Sequence, residues 1–84
     1  MKYDVIDVRP VGHLRLKVTF EDGLSGEIIF RDTHLEGVFE SLKNPQLFSQ
    51  VHCAHGFVEW PGEIDLAPDA MYEAVKNSGY LELV

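Results

Sequence analysis

Two clusters in the 84-residue sequence hold the residue types most often used for chemistry. The first, "HCAH", places His52, Cys53 and His55 within four residues. Imidazole and thiolate are common zinc and copper ligands, so the pattern invites a metal reading. A tetrahedral site needs more donors than these, and no second C-x-x-C or H-x-x-x-H stands elsewhere in the chain to complete one. A cysteine beside a histidine could also serve as a nucleophile, but that requires a thiolate in an electropositive setting, and this chain is acidic.

The second cluster is the carboxylates Glu59, Glu63, Asp65, Asp69 and Glu73 of "VEWPGEIDLAPDAMYEAV". Acid/base catalysis would need two of them converging in a concave, partly dry pocket. A calcium loop would need alternating D-x-D-x-D-G and a distal glutamate, and "EIDLAPD" lacks both the alternation and the glycine. These five are therefore read as capping and solvating groups that could face a partner. "FEDGLSGE" looks like a phosphate loop only superficially, because it lacks G-x-x-x-x-G-K-[ST] and sets Glu21 and Asp22 where a phosphate would lie. Trp60 and Tyr72 could form a ligand platform, but large rings at these positions are expected to pack in the core against the last helix. No catalytic or cofactor-binding residue is assigned, no cofactor is expected, and His52 and His55 are the only metal candidates.

Charge narrows the partners. The formal net charge is −7. Residues 1–43 carry eight acidic and six basic side chains, whereas residues 44–84 carry six acidic and one basic, Lys76. The second half would repel a phosphate backbone, so direct nucleic-acid binding is not expected; the acidic charge serves either solubility or a basic protein partner. No apolar run approaches the roughly 20 residues of a membrane helix, and "MKYDVIDV" does not read as a signal peptide. A single cysteine excludes an internal disulfide and fits a reducing compartment, with cytoplasm the expected location.

Short elements must position these groups, in one domain spanning 1–84. In "HLRLKVTFEDGLSGEIIF", Leu14, Leu16, Val18 and Phe20 alternate with charged or polar residues, the mark of a half-buried strand. A three-residue loop at Glu21-Asp22-Gly23 pairs Phe20 with Leu24, Val18 with Gly26, Leu16 with Ile28 and Leu14 with Phe30 on one face, with Lys17 opposite Glu27 on the other. A two-residue loop would set Val18 against Glu27, so the longer one is preferred. "YDVIDV" predicts an earlier strand that stops near Pro10. Leu35, Val38, Phe39 and Leu42 predict a helical stripe, with Thr33 and Glu36 as a capping box and Gly37 shortening or breaking the helix. Asn44-Pro45 predicts a further helical turn.

A second hairpin is expected around His55-Gly56, pairing Ala54 with Phe57, Cys53 with Val58, His52 with Glu59 and Val51 with Trp60. Pro61-Gly62 should end it. A last helix should begin at Pro68, bury Met71, Ala74, Val75 and Ser78, and stop at Gly79. Residues 80–84 are either an edge strand or a tail. The fold class is α+β: two antiparallel hairpins plus an N-terminal strand, a short central helix or pair of turns, and a C-terminal helix.

Five motifs stand in a distinctive order: F-x-D-G-x-x-G at Phe20 to Gly26, G-x-F-x-x-L at Gly37 to Leu42, N-P-x-x-F at Asn44 to Phe48, Trp60-Pro61, and D-L-x-P-D-x-M-Y at Asp65 to Tyr72. Across about residues 8–76 the chain resembles the domain of unknown function 2442 family. The resemblance implies a small bacterial α+β domain, sometimes fused to a helix-turn-helix segment, with no established activity. It also implies a setting like that of two-gene toxin–antitoxin modules. Only five residues follow Gly79, so a fused helix-turn-helix, and with it operator binding, is not expected here.

The leading expectation is a protein-interaction module, the antitoxin-like or adaptor half of a pair, and not an enzyme. Glu59, Glu63, Asp65, Asp69 and Glu73 would face the partner, and self-association through residues 80–84 is a further option. The alternatives are a small-ligand or metal-binding domain using His52, His55 and Trp60, and a nucleic-acid adaptor that acts only with a partner.

Overall fold

Alternating apolar and polar residues from Val5 to Phe30 build three antiparallel strands, β1 (Val5–Gly12), β2 (Arg15–Phe20) and β3 (Ser25–Phe30). They form most of the larger sheet in a computed structural model, which describes residues 3–31, 35 and 37–83. The β2–β3 turn is the three-residue loop expected from the register. Gly23 has φ 93°, the Phe20 amide donates to the Leu24 carbonyl at 2.8 Å, and Leu16, Lys17 and Val18 face Ile28, Glu27 and Gly26. Asp22 Oδ1 accepts from the Leu24 amide at 2.9 Å, so the turn braces itself. Leu16, Val18, Phe20 and Ile28 are sealed from solvent.

β1 does not stop at Pro10 but runs past it. A proline lacks the N–H that a central strand needs, and β1 is an edge in the order β1-β2-β3-β7, so the missing donor interrupts no ladder. The register slips between Val5 and Asp7 and again between Pro10 and Gly12. Ile6 and Val11 are the extra residues at these bulges, and both are exposed.

The smaller sheet has the order β4-β5-β6, from β4 (His52–Ala54), β5 (Phe57–Trp60) and β6 (Ile64–Leu66). His55 at φ 53° and Gly56 at φ 84° form the two-residue turn whose twist suits a hairpin, and His52–Glu59, Cys53–Val58 and Ala54–Phe57 pair as expected. β6 is an addition to the expected elements. Three residues with Asp65 in the middle carry almost no alternation signal; burial of Ile64 and Trp60, which face each other in the register, holds the strand in place.

Between the sheets, Gly37–Lys43 winds as a 3-10 helix and α1 (Pro45–Phe48) adds one α-helical turn. Gly37, at φ 60°, takes a left-handed conformation that no continuous α-helix accommodates. Leu35 and Leu42 are buried; the Thr33–Glu36 capping box lies outside the described residues. Asn44 caps α1 by accepting from the Gln46 amide at 2.9 Å.

The chain then enters α2 (Pro68–Ser78), which buries Pro68, Met71, Tyr72 and Val75. Ser78 is exposed and Ala74 only half-buried, so the inward stripe is rotated toward Tyr72 relative to the expected one. Gly79, at φ 87°, ends the helix with its amide donating to the Val75 carbonyl at 2.8 Å. Residues that could have been tail form β7 (Tyr80–Leu83), parallel to β3, with Leu81 beside Ile28 and Leu83 beside Phe30. The architecture is α+β and mostly sheet. Among the described residues no helix is long and apolar enough to cross a membrane.

α2 and its cap close tightly on β3 at Gly26. A Cβ on Gly26 would sit 2.5 Å from the Gly79 carbonyl oxygen and 2.6 and 2.9 Å from the Val75 methyls. Gly26→Ala should therefore lower stability by about 2 kcal/mol or more through overpacking. At Gly12 the nearest atom would lie 3.6 Å away, so Gly12→Ala should cost roughly 0.5 kcal/mol or less. Urea midpoints of the two variants provide the comparison.

Candidate functional site

The carboxylate group is assembled by the smaller sheet. Glu59 lies in β5 between His52 of β4 and Asp65 of β6, all three at matching register positions and so on one face. Glu63 follows Gly62 in the β5–β6 turn and takes a positive φ of 64°, which an L-residue seldom adopts outside tight turns. Glu59, Glu63 and Asp65 thus line one open concavity of about 460 Å³, with Trp60 and Ile64 at its base. Asp69 and Glu73 do not line it; they lie on the exposed side of α2, where Asp69 Oδ1 accepts from the Ala70 amide at 2.9 Å. Of the five acidic candidates, the fold gathers three.

The histidine candidates stay apart in role. His52 Nε2 stands 3.7 Å from Glu59 Oε1, and its Nδ1 lies 3.2 Å from the Gln50 carbonyl. His55 is committed to the hairpin turn. Cys53 is half-buried and packs against the core, as its place opposite Val58 requires. No group of three or more histidine, cysteine or acidic side chains comes together among the described residues in a way that could hold a metal.

Trp60 is a core residue. Its indole Nε1 donates to the Phe48 carbonyl at 3.0 Å, and its ring stands 6.0 Å from that of Phe30 and 6.1 Å from that of Phe48. These aromatic partners come from β3 and α1. The ring contacts of Tyr72 on α2 are instead with Tyr3, at 4.9 Å, and Phe20, at 5.1 Å. The Tyr72 hydroxyl donates to Asp22 Oδ2 at the tip of the β2–β3 turn, tying α2 to the larger sheet.

A second open concavity, of about 490 Å³, lies on the outer face of the larger sheet and was not singled out by the motifs. Arg15, Lys17, Glu27, Ile29 and Tyr80 line it, together with the end of α2. Arg15 Nε donates to Glu27 Oε1 at 3.1 Å, so part of the basic charge is answered on the spot. The signal was present as the polar half of the β2 alternation, but only β7 supplies Tyr80 to complete the wall. The fold thus places the acidic strands of the smaller sheet and the basic residues of β2 on different sheets.

Among the described residues, two small sheets and one substantial helix around a shared core, with open surface concavities, define an α+β domain. The chain belongs to the family described as Protein of unknown function (DUF2442), whose model matches residues 5–77. Comparisons with curated proteins and with solved structures returned no match. Four of the motifs that carried the resemblance meet in space in two pairs, Asp22 with Tyr72 and Trp60 with Phe48, while Gly26 meets Val75 and Gly79, which lie beyond the last motif.

The Tyr72–Asp22 contact has a pH signature. Donation to Asp22 raises the Tyr72 pKa above 10.0, helped by burial and by the charges of Asp22, Tyr3 and Glu73. A hydroxyl whose folded pKa is raised contributes stability that is fully present below the unfolded value and disappears as pH climbs through the folded one. Stability should accordingly fall at alkaline pH, and Tyr72→Phe should flatten that fall between about pH 9 and 11. Urea titrations of both proteins across that range will show the difference as converging midpoints; parallel curves would mean that the hydroxyl plays no part.

Proposed function

We propose that this chain is a protein-interaction domain that presents its acidic half to a basic partner, as the antitoxin-like or adaptor half of a two-protein module, and that it acts by binding and not by catalysis. The observation that carries this reading is the convergence of Glu59, Glu63 and Asp65 on one open concavity. His52, 3.7 Å from Glu59, is the one side chain of basic type on that row, and Lys76 is the only Lys or Arg in residues 44–84. Carboxylates held on a sheet, as Glu59 and Asp65 are, and on its tight turn, as Glu63 is, cost a partner little ordering entropy on its acceptor side. A surface of one sign also steers a partner of the opposite sign and speeds encounter. The family match is consistent with this function without specifying it. Cytoplasmic action accords with the single unpaired cysteine.

The test uses two baits side by side, the wild-type chain and the triple variant E59Q/E63Q/D65N, in extracts of the native cell at physiological and at high salt. A stoichiometric basic protein should be recovered on the wild type, fall by about tenfold on the triple variant, and be released as salt screens the contact. Equal recovery on both baits, or recovery of no stoichiometric protein, would refute the proposal.

A further inference from the structure

The two edges of the four-stranded sheet are finished differently. At β1 the edge is broken by two bulges and Pro10, and the β4–β5 turn leans on it through a 3.0 Å bond from the Val5 amide to the Gly56 carbonyl. These are the devices by which proteins keep an edge from pairing with another chain. β7 carries none of them: it has no proline, its register with β3 is unbroken, and among the described residues no strand lies beyond it.

The direction of its backbone follows from the bonds to β3. The Glu27 amide donates to the Gly79 carbonyl at 3.4 Å and the Arg31 amide to the Leu83 carbonyl at 3.3 Å. Alternation turns Leu81 the same way and leaves the N–H and C=O groups of Tyr80 and Glu82 pointing away from the sheet. Tyr80 is 48% exposed. Glu82 would ordinarily guard such an edge by its charge, but Arg31 holds its carboxylate at 2.6 Å and neutralises it.

We infer that β7 pairs antiparallel with β7 of a second copy of this chain, about a two-fold axis at Leu81, so that two four-stranded sheets become one. The edge is self-complementary in this register. Tyr80 lies opposite Glu82 of the second copy, and Glu82 opposite its Tyr80, so each outward N–H meets an outward C=O in two doubly bonded pairs. Leu81, half-buried on the inner face, meets its own mate. The two Glu82 side chains sit diagonally and not face to face, each already held by its own Arg31. A four-residue edge buries less than the roughly 1,200 Å² of a stable interface, so the dimer is a weak one, forming between about 10 μM and 1 mM.

Sedimentation of the full chain over that range, with amide hydrogen exchange at both ends of it, tests the inference. The mass should rise from 9.5 kDa toward twice that value, and protection of the Tyr80 and Glu82 amides should rise about tenfold with concentration. Glu82→Pro removes an outward donor and the Arg31 ion pair but no backbone bond to β3, and should remain monomeric with an unchanged circular dichroism spectrum. Glu82→Gln, which loses only the charge, should still dimerise. A wild type that stays monomeric to about 1 mM would overturn the inference and leave the edge to a strand of some other protein. So would a Glu82→Pro variant that dimerises like the wild type, or exchange at Tyr80 and Glu82 that ignores concentration. Should Glu82→Pro fail to fold, the wild-type exchange result decides alone.

Discussion

The absence of one carbon atom sets how this domain is put together. Because Gly26 has no Cβ, the end of α2 can lie directly on β3, with the Gly79 carbonyl and the Val75 methyls in the space a side chain would fill. That approach brings Gly79, the left-handed stop of the helix, to the start of the β3 ladder, and its carbonyl makes the first bond of the β3–β7 pair. Helix position, helix end and the fourth strand therefore share one requirement. Close packing lets none of them shift independently.

Around that point the core is stapled by polar contacts that aromatic side chains carry inward. Trp60 and Tyr72 each bury a large ring while giving their single polar hydrogen to a fixed acceptor, the Phe48 carbonyl and the Asp22 carboxylate. No described buried side-chain nitrogen or oxygen is left without a partner. These two contacts, Asp22 with Tyr72 and Phe48 with Trp60, join separate stretches of the sequence, so these residues have a structural role in the fold. The surfaces left for recognition are the faces and edges that these staples do not use.

How much of this was legible in the sequence depended on range. Both glycine-bearing hairpins were readable almost to the individual pair, the exception being Val51 opposite Trp60, since β4 begins only at His52. Strand alternation and turn geometry act within some ten or twenty residues. β6 was not readable, since three residues are too few to show a period and Asp65 interrupts the two apolar ones, Ile64 and Leu66. The same limit divided the acidic candidates. Glu59 beside His52 followed from a local hairpin, Asp65 joined only through β6, and Asp69 and Glu73 went to a different surface with α2. Pro10 misled for a related reason: proline forbids a central strand, and whether β1 is central or at an edge is not written near it. The basic concavity was invisible until β7 brought Tyr80 beside residues of β2 and β3, some fifty positions earlier.

The parallel pairing of β7 with β3 also bears on the order in which the chain can fold. β3 ends at Phe30 and its second neighbour begins at Tyr80, so the 3-10 segment, the smaller sheet and α2 all lie in one connection between adjacent strands. Local hairpins form early, whereas a pair separated by so much chain must wait for that loop to close. During synthesis the β1–β2–β3 meander would emerge with the Ile28 and Phe30 side uncovered and one ladder unfilled. The order of the sequence leaves the nascent domain adhesive until its last strand arrives, which makes the tempo of elongation through residues 31–79 a determinant of how cleanly it folds.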